Sequence, residues 1–391
     1  MSDAIREVVL VGGGHAHAIV LRQFGLHPSP HLRLTLVSDV EQTPYSGMLP
    51  GHVAGFYDFE DCHIDLKPLA EFAGARFVRG RASGVDLQEN ILQCDEGRSI
   101  PFDNLSLDIG STPATVRVPG AMEHAIPAKP VSHFLQHWYR LLETVKANPQ
   151  QPLSLGIVGG GAGGVELALN VRSRLHRMLQ QAGQSSDTIS QQLQLHLFHR
   201  GSELMSGHAP VVRRRLQRLL VRYGVRLHLN ESVVAVKPGV EVVCESGLQQ
   251  RCDRLFWVTQ ASAPSWLAAS GLATDEAGFV LVGDTLQSLS HPQIFAAGDI
   301  ATMKHYPRPK AGVFAVRQGQ PLFENLRRLG NGESLRPYVP QKQILALIGT
   351  GDGRAIASRG SWGLGPWRLL WWWKDWIDRR FMTQFEGLSG E

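Results

Sequence analysis

Two glycine-rich turns, separated by about the length of a domain, constrain this chain more than any other feature. The first is GGGHAH (Gly12–His17) and the second is GGGAGGVE (Gly159–Glu166). Each turn follows an apolar run typical of a buried parallel strand and leads into a helical stretch. Glycines in this context let the backbone approach a pyrophosphate that lies at the helix N-terminus. Two such turns predict two bound dinucleotides, with electron transfer between them.

The length of 391 residues predicts two or three domains. The order of the motifs predicts an α/β fold with two Rossmann-like dinucleotide-binding domains, the second inserted in the first, followed by a C-terminal α+β segment. The net charge of +4 is too small to indicate a nucleic-acid partner. The predicted ranges are 1–115 and 276–328 for the two parts of the first domain, 116–275 for the second domain and 329–391 for the C-terminal segment.

The first turn supplies several candidate nucleotide-binding residues. Gly12 permits the tight bend and Gly14 the approach of the pyrophosphate, and His15 and Ala16 begin the helix. His17 stands where the usual third glycine would be. Because no further His or Cys cluster accompanies the two histidines, we expect them to pack or hydrogen-bond near the nucleotide rather than bind a metal.

Further candidates for the first nucleotide lie at the ends of later strands. Ser38 and Asp39 stand where a ribose-binding acid is expected, with a solvated loop carboxylate as the alternative for Asp39. Asp299 is placed to accept hydrogen bonds from a polyol such as the ribityl chain of a flavin, or else to cap the next helical segment. Ala82 is a further candidate.

The second turn has the complete glycine pattern, and its candidate residues are Gly159, Gly161, Ala162, Gly163 and Gly164. Glu166 lies just inside the following helix, where the dipole favours a carboxylate and where it could face a nicotinamide.

At the end of the next strand, His199 and Arg200 replace the ribose-binding acid. The lack of a carboxylate there, together with an arginine able to pair with a 2′-phosphate, favours NADPH. The alternative is that Arg200 is an ordinary surface residue.

These motifs, in this order, resemble those of the two-dinucleotide-binding flavoproteins: the pyridine nucleotide-disulfide oxidoreductases, type II NADH dehydrogenases and sulfide:quinone reductases. The resemblance covers about residues 5–330. The segments GGGHAH, TPYSGMLPG (Thr43–Gly51) and CHIDL (Cys62–Leu66) are also similar to the oxidoreductase module that is fused to selenophosphate synthetase in some organisms, which hints at selenium metabolism.

The resemblance implies FAD in the first domain, with Gly110, Ser111, Gly298 and Asp299 contributing near the flavin. It also implies NAD(P)H at the second turn, with hydride delivered to flavin N5. It also makes Lys310 a candidate for stabilising an anionic flavin or acceptor, because this position resembles the start of the family's quinone-side helix; the alternative is a solvated lysine. The four cysteines form no CxxxxC pair, which disfavours a dithiol mechanism. The predicted activity is therefore a FAD-dependent NAD(P)H oxidoreductase with a quinone-like acceptor. The alternatives are a reductase for a sulfur- or selenium-linked acceptor, and a flavin-binding redox sensor with little turnover.

The tryptophan-rich run at 366–382 predicts an amphipathic helix typical of a membrane interface. The charged side would hold Arg368, Asp375, Asp378 and Arg379, and the apolar side would hold Leu369, Leu370, Trp373, Trp376, Ile377 and Phe381. The alternatives are packing on the protein's own core or on the mate in a homodimer. Scattered cysteines and the charged N-terminus predict a cytoplasmic location, peripheral on the inner face of the membrane.

Overall fold

The first part of the chain alternates apolar strands with helices and then turns to short antiparallel strands. The computed structural model describes residues 5–113, 118–259 and 261–388, so the predicted boundary between 115 and 116 lies outside the described residues. The elements of this part are β1 (Arg6–Val11), α1 (His15–Leu26), β2 (Leu32–Ser38), β3 (Gln42–Pro44), α2 (Leu49–Val53), β4 (His63–Asp65), α3 (Leu66–Phe72), β5 (Arg76–Arg79), β6 (Ala82–Asp86), β7 (Ile91–Cys94), β8 (Ser99–Pro101), β9 (Asn104–Leu107) and β10 (Thr112–Pro113).

The middle of the chain repeats this order of elements. After two short elements and one longer helix come a strand, the second glycine turn and a second long helix. The elements are α4 (Ala121–His124), β11 (Ile126–Pro127), α5 (Val131–Ala147), β12 (Leu153–Val158), α6 (Ala162–Gln181), α7 (Ser186–Gln192), β13 (Leu193–His199), α8 (Pro210–Arg222), β14 (Val225–Leu229), β15 (Val233–Lys237), β16 (Glu241–Cys244), β17 (Gln249–Arg251), β18 (Arg254–Trp257), β19 (Ala261–Ser262) and α9 (Trp266–Ala269).

The last part returns to the first sheet and then adds a small antiparallel sheet and a helix. Its elements are β20 (Val280–Val282), β21 (Ile294–Ala296), β22 (Ala301–Met303), α10 (Gly312–Gly330), β23 (Ala346–Gly349), β24 (Ala355–Arg359), β25 (Trp362–Trp367) and α11 (Arg368–Met382).

Two five-stranded parallel sheets form the centre of the molecule. Their strand orders are β21-β9-β1-β2-β5 and β11-β18-β12-β13-β14. The last four residues of β1 and of β12 are buried and carry no polar side chain, as expected for strands covered on both faces. Because β21 follows the whole second sheet in sequence yet completes the first, the second nucleotide-binding unit is inserted in the first. This confirms the predicted fold class.

The C-terminal helix is oriented differently from the amphipathic prediction. It begins at Arg368, after β25, and buries Leu370 and Trp371 together with the charged Lys374 and Asp378. The placement of Asp378 on the solvent side was therefore wrong, because Lys374 pairs with it inside the molecule. The exposed side is instead largely apolar, with Leu369, Trp372, Trp373, Trp376 and Ile377 facing outward. Among the described residues, no helix is both long and apolar enough to cross a bilayer.

Candidate functional site

The first glycine turn joins β1 to α1 in a conformation that excludes side chains. Gly12 has a φ of +91°, and a Cβ there would lie 2.4 Å from the carbonyl oxygen of Asp108. His17, at the position of the missing third glycine, is fully buried. Its Nδ1–H donates to the Gly12 carbonyl (2.7 Å), and its Nε2 accepts from the Ser106 hydroxyl (2.8 Å). Burial lowers the pKa of His17 to about 4, so it is a neutral structural group.

The carboxylate of Asp108 occupies part of the N-terminus of α1. Its Oδ2 accepts the backbone N–H groups of Ala16 (2.9 Å) and His17 (3.1 Å), and its own carbonyl accepts the N–H of Gly14. In the described structure, the N–H groups of Gly13 and His15 remain without a partner. These two donors point to the place where a pyrophosphate would bind.

Asp299 lies at the start of a short 3₁₀ turn after β21, beside the first glycine turn. Its carboxylate accepts from the hydroxyl of Ser111 (3.1 Å) and from the ammonium of Lys129 (2.8 Å). Although burial opposes ionisation, the charge and hydrogen bond of Lys129, with the Ser111 bond, hold the pKa of Asp299 below its ordinary value. Gly110 and Gly298 both have positive φ angles, which shape the two turns that bring these groups together.

Lys310 is not a solvated lysine. Its Nζ donates to the carbonyl of Ala301 (2.6 Å) and the hydroxyl of Thr302 (2.9 Å), and it lies 4.0 Å from the centre of the Phe279 ring. Burial lowers its pKa to about 8, against the opposing charges of Asp275 and Asp299. Lys310 lines a narrow cavity together with Gly298, Asp299, Tyr306, Phe314 and Gln318.

The remaining candidates for the first nucleotide lie at the carboxyl end of β2 and at the start of β6. Ser38 is buried at the end of β2, and its hydroxyl accepts the N–H of Val40. Asp39 follows it and is exposed. The carbonyl of Ser38 also accepts the N–H of Gly80, which brings the chain near Ala82 to the same strand end. The structure thus places Ser38, Asp39 and Ala82 around the carboxyl end of β2.

The second turn is open to solvent. A Cβ on Gly159 would lie 2.4 Å from the Val258 carbonyl oxygen, and one on Gly164 would lie 1.8 Å from the Gly159 carbonyl oxygen. Gly161, Ala162 and Gly163 are exposed, and their N–H groups have no partner in the described parts of the chain. An open helix N-terminus with free donors fits a second dinucleotide.

At the end of β13, His199 and Arg200 have different surroundings. His199 Nδ1 accepts the N–H of Gly160 (3.3 Å), and its Nε2–H donates to the carbonyl of Glu203 (3.1 Å). Its ring therefore supports the turn itself. The guanidinium of Arg200 is exposed and has no hydrogen bond or ion pair within the described residues. It is free to meet a ligand phosphate.

Glu166 faces a junction between three parts of the molecule. Its Oε1 accepts the N–H of Gly349 at the end of β23 (2.8 Å), while the nearby Lys374 donates to the Gly47 carbonyl and to Asp378, each at 2.6 Å. Burial raises the pKa of Glu166 to about 7, and the charge of Lys374 only partly offsets this.

All four cysteines are free and buried. Burial raises the pKa of Cys62 to about 12, and the pKa values of Cys244 and Cys252 to about 11. Because the thiolate is the reactive form, these thiols are poor nucleophiles at neutral pH.

The sequence profile of the pyridine nucleotide-disulphide oxidoreductases matches residues 6–319. The chain belongs to that family. The ferroptosis suppressor protein 1 of Xenopus laevis is 25% identical over 374 residues, covering 90% of this chain and 88% of that protein. The type II NADH:quinone oxidoreductase of Staphylococcus epidermidis is 22% identical over 374 residues, covering 91% of this chain and 90% of that protein. The sulfide:quinone oxidoreductase of Aquifex aeolicus shares the fold, with a TM-score of 0.78, 19% identity, and coverage of 98% of this chain and 92% of that one.

Family membership confirms the prediction of a FAD-dependent NAD(P)H dehydrogenase. The residues fit both cofactors: free donors stand at both helix N-termini, and Asp299 lies where strands end beside the first turn. Sequence reasoning missed Asp108, Lys129 and Lys374. The signal for Asp108 was a carboxylate in the otherwise apolar end of a strand, Leu105-Ser106-Leu107-Asp108-Ile109. Lys129 and Lys374 carried no such signal.

Proposed function

We propose that this protein oxidises NAD(P)H through FAD and reduces a quinone, in the overall reaction NAD(P)H + H⁺ + quinone → NAD(P)⁺ + quinol. The observation that carries the proposal is the pairing of two dinucleotide turns with thiols too buried to form a redox pair. The names of the Staphylococcus and Aquifex proteins support a quinone as acceptor. When bound, FAD would take a hydride from the nicotinamide and release its electrons to the acceptor.

In this proposal FAD occupies the domain formed by 1–115 and 276–328, and NAD(P)H occupies the domain 116–275. The FAD-binding residues are Gly12, Gly14, His15, Ala16, Ser38, Asp39, Ala82, Gly110, Ser111, Gly298 and Asp299. The residues for NAD(P)H are Gly159, Gly161, Ala162, Gly163, Gly164, His199 and Arg200.

Two side chains have proposed roles in the reaction. Lys310 places a positive charge in the cavity beside Asp299, where it would stabilise negative charge on the reduced flavin or the acceptor. Glu166 has a pKa of about 7 and lies next to Lys374, so it can hold or release a proton at neutral pH. Reduction of a quinone to a quinol consumes protons. The role that we assign to Glu166 is to supply one of them.

The outward side of α11 suggests where the acceptor is met. Leu369, Trp372 and Trp376 expose 68%, 63% and 56% of their surface. Exposed tryptophans beside arginines are typical of helices that lie in the membrane interface. We propose that α11 attaches the protein to the inner face of the membrane, where quinones dissolve.

The decisive experiment is an anaerobic titration of the FAD-loaded protein with NADH and, separately, with NADPH, followed by addition of a soluble quinone. We expect stoichiometric bleaching of the flavin absorbance by at least one nucleotide and its return on addition of the quinone. Bleaching without reoxidation would refute the quinone acceptor while leaving the dehydrogenase intact. A flavin that neither nucleotide bleaches would refute the whole proposal.

A further inference from the structure

The two nucleotide-binding units differ at one equivalent position. In each, a Cβ on the first glycine would lie 2.4 Å from the carbonyl oxygen of the residue that directly follows the neighbouring strand, Asp108 after β9 for Gly12 and Val258 after β18 for Gly159. Val258 is apolar, and among the described residues the first N–H donors of α6 beside it have no partner. Asp108 instead has a carboxylate, which accepts two of the first three N–H groups of α1. The fold therefore does not require a carboxylate at this position.

Asp108 lies at the centre of the proposed FAD site. A Cβ on Gly14 or on Gly298 would come within 2.3 Å of its carboxylate oxygen Oδ1, so both glycine turns pack directly on it. It is 2% exposed. An anion here uses the same helix dipole that would hold a pyrophosphate, and the two negative groups would repel each other at short range.

We propose that Asp108 competes with the pyrophosphate of FAD for the N-terminus of α1, so that FAD binds to the form in which this carboxyl group is protonated. FAD binding is then linked to the uptake of one proton, and the cofactor is held less tightly as the pH rises. The inference rests on the FAD site proposed above.

The surroundings of Asp108 favour titration near neutral pH. Burial raises its pKa to about 7, against the two N–H donors of α1. The charged groups that face it are Asp299, from the turn after β21, which raises its pKa, and Lys129, from the segment before α5, which lowers it. His15 and His17 on α1 have pKa values lowered by burial to about 4, so they stay neutral above pH 6.

The test measures the dissociation constant of FAD by serial dilution of the full-length holoprotein, with released flavin followed by fluorescence, between pH 6 and pH 8. For a carboxyl group with a pKa near 7 that must be protonated in the complex, we expect the dissociation constant to rise about tenfold over this range. In Asp108→Asn and Asp108→Val it should change less than about twofold, and at pH 8 both variants should hold FAD more tightly than the parent protein.

Asp103→Asn is the matched control, because Asp103 also accepts a backbone N–H, that of Glu7, but at the other end of β9. It should keep the pH dependence of the parent. A dissociation constant of the parent protein that does not change with pH would overturn the inference whether or not the variants fold, and so would a pH dependence that persists in Asp108→Asn. Failure to bind FAD at any pH would refute the FAD site itself, which separates the two failures.

Discussion

At the scale of single residues, the end of β13 bears on the choice between the two nicotinamide nucleotides. His199 is hydrogen-bonded to Gly160 and Glu203, so its ring supports the turn. Unlike the acid that is usual at this position, it carries no negative charge. Arg200 is exposed and unpaired among the described residues. A 2′-phosphate at this strand end would meet the guanidinium of Arg200, and neither His199 nor Arg200 carries a carboxylate that would repel it.

We expect Arg200→Ala to raise the KM for NADPH by about tenfold and to leave the KM for NADH within about twofold, because a charged hydrogen bond contributes roughly 1.5–3 kcal/mol. The measurement is steady-state kinetics with each nucleotide. Arg226→Ala on the neighbouring strand β14 is the control and should change neither value. Equal losses with NADH and NADPH would contradict selective binding of the phosphate.

At the scale of elements, α11 shows an unusual distribution of side chains. Its inner side carries an ion pair, Lys374–Asp378, that is buried to the same degree as its apolar neighbours. Its outer side carries exposed tryptophans, and Trp362 and Trp367 of the preceding strand β25 are exposed as well. Lys374 and Asp378 pair inside the molecule, and the outer side is left with exposed tryptophans beside arginines such as Arg368 and Arg380, a surface suited to lipid.

We expect the double variant Trp372→Ser/Trp376→Ser to lose most of its binding to liposomes that contain anionic lipid. Each of these tryptophans, exposed in the protein, would bury apolar area when α11 lies in the membrane interface. Cosedimentation measures the bound fraction. The control Met122→Ser/Val339→Ser also removes two well-exposed apolar side chains, elsewhere on the surface. If the parent protein and the double variant sediment equally, α11 is not the membrane contact.

At the scale of the whole molecule, a polar junction ties the three parts of the chain together. Lys374 of α11 reaches the loop carbonyl of Gly47 in the first nucleotide-binding unit, and Glu166 of the second unit accepts the N–H of Gly349 in the C-terminal sheet. Removing one partner of a buried ion pair leaves an uncompensated charge, which costs more than the pair contributes.

We therefore expect Lys374→Met to lower the free energy of unfolding by about 3–5 kcal/mol, since Asp378 would remain buried without its cation. Urea unfolding at saturating FAD, followed by circular dichroism, gives the value. The exposed Lys342→Met provides the control and should have little effect. A loss of less than about 1 kcal/mol would show that the pair does not hold α11 in place.

The same junction gives stability a dependence on pH. The pKa of Glu166 is about 7 in the folded protein and 4.5 for an ordinary glutamate. Between pH 4.5 and pH 7, Glu166 is therefore protonated in the folded protein and ionised in the unfolded chain. The free energy of unfolding therefore falls as the pH rises from 4.5 to 7. We expect Glu166→Gln to be more stable than the parent by about 3 kcal/mol at pH 8 and by much less at pH 5, measured by urea unfolding at both values. A difference that does not change with pH would contradict the raised pKa.

The sequence by itself determined the two nucleotide-binding units and their order. Apolar strands, glycines that need positive φ, and the strand and turn that lead to Asp299 are local patterns, and local sterics decide them. They also located both helix N-termini and the exposed Arg200.

Only the tertiary structure decided which charges meet. Asp108 and Ala16 are 92 residues apart, Lys129 and Asp299 are 170 apart, and Lys374 and Gly47 are 327 apart. The side of α11 that faces inward was likewise set by these partners, because an ion pair satisfied inside the molecule can replace apolar side chains there. Periodicity along one helix carries no information about such distant groups, which is why the sequence predicted the amphipathic helix but placed Asp378 on the wrong side.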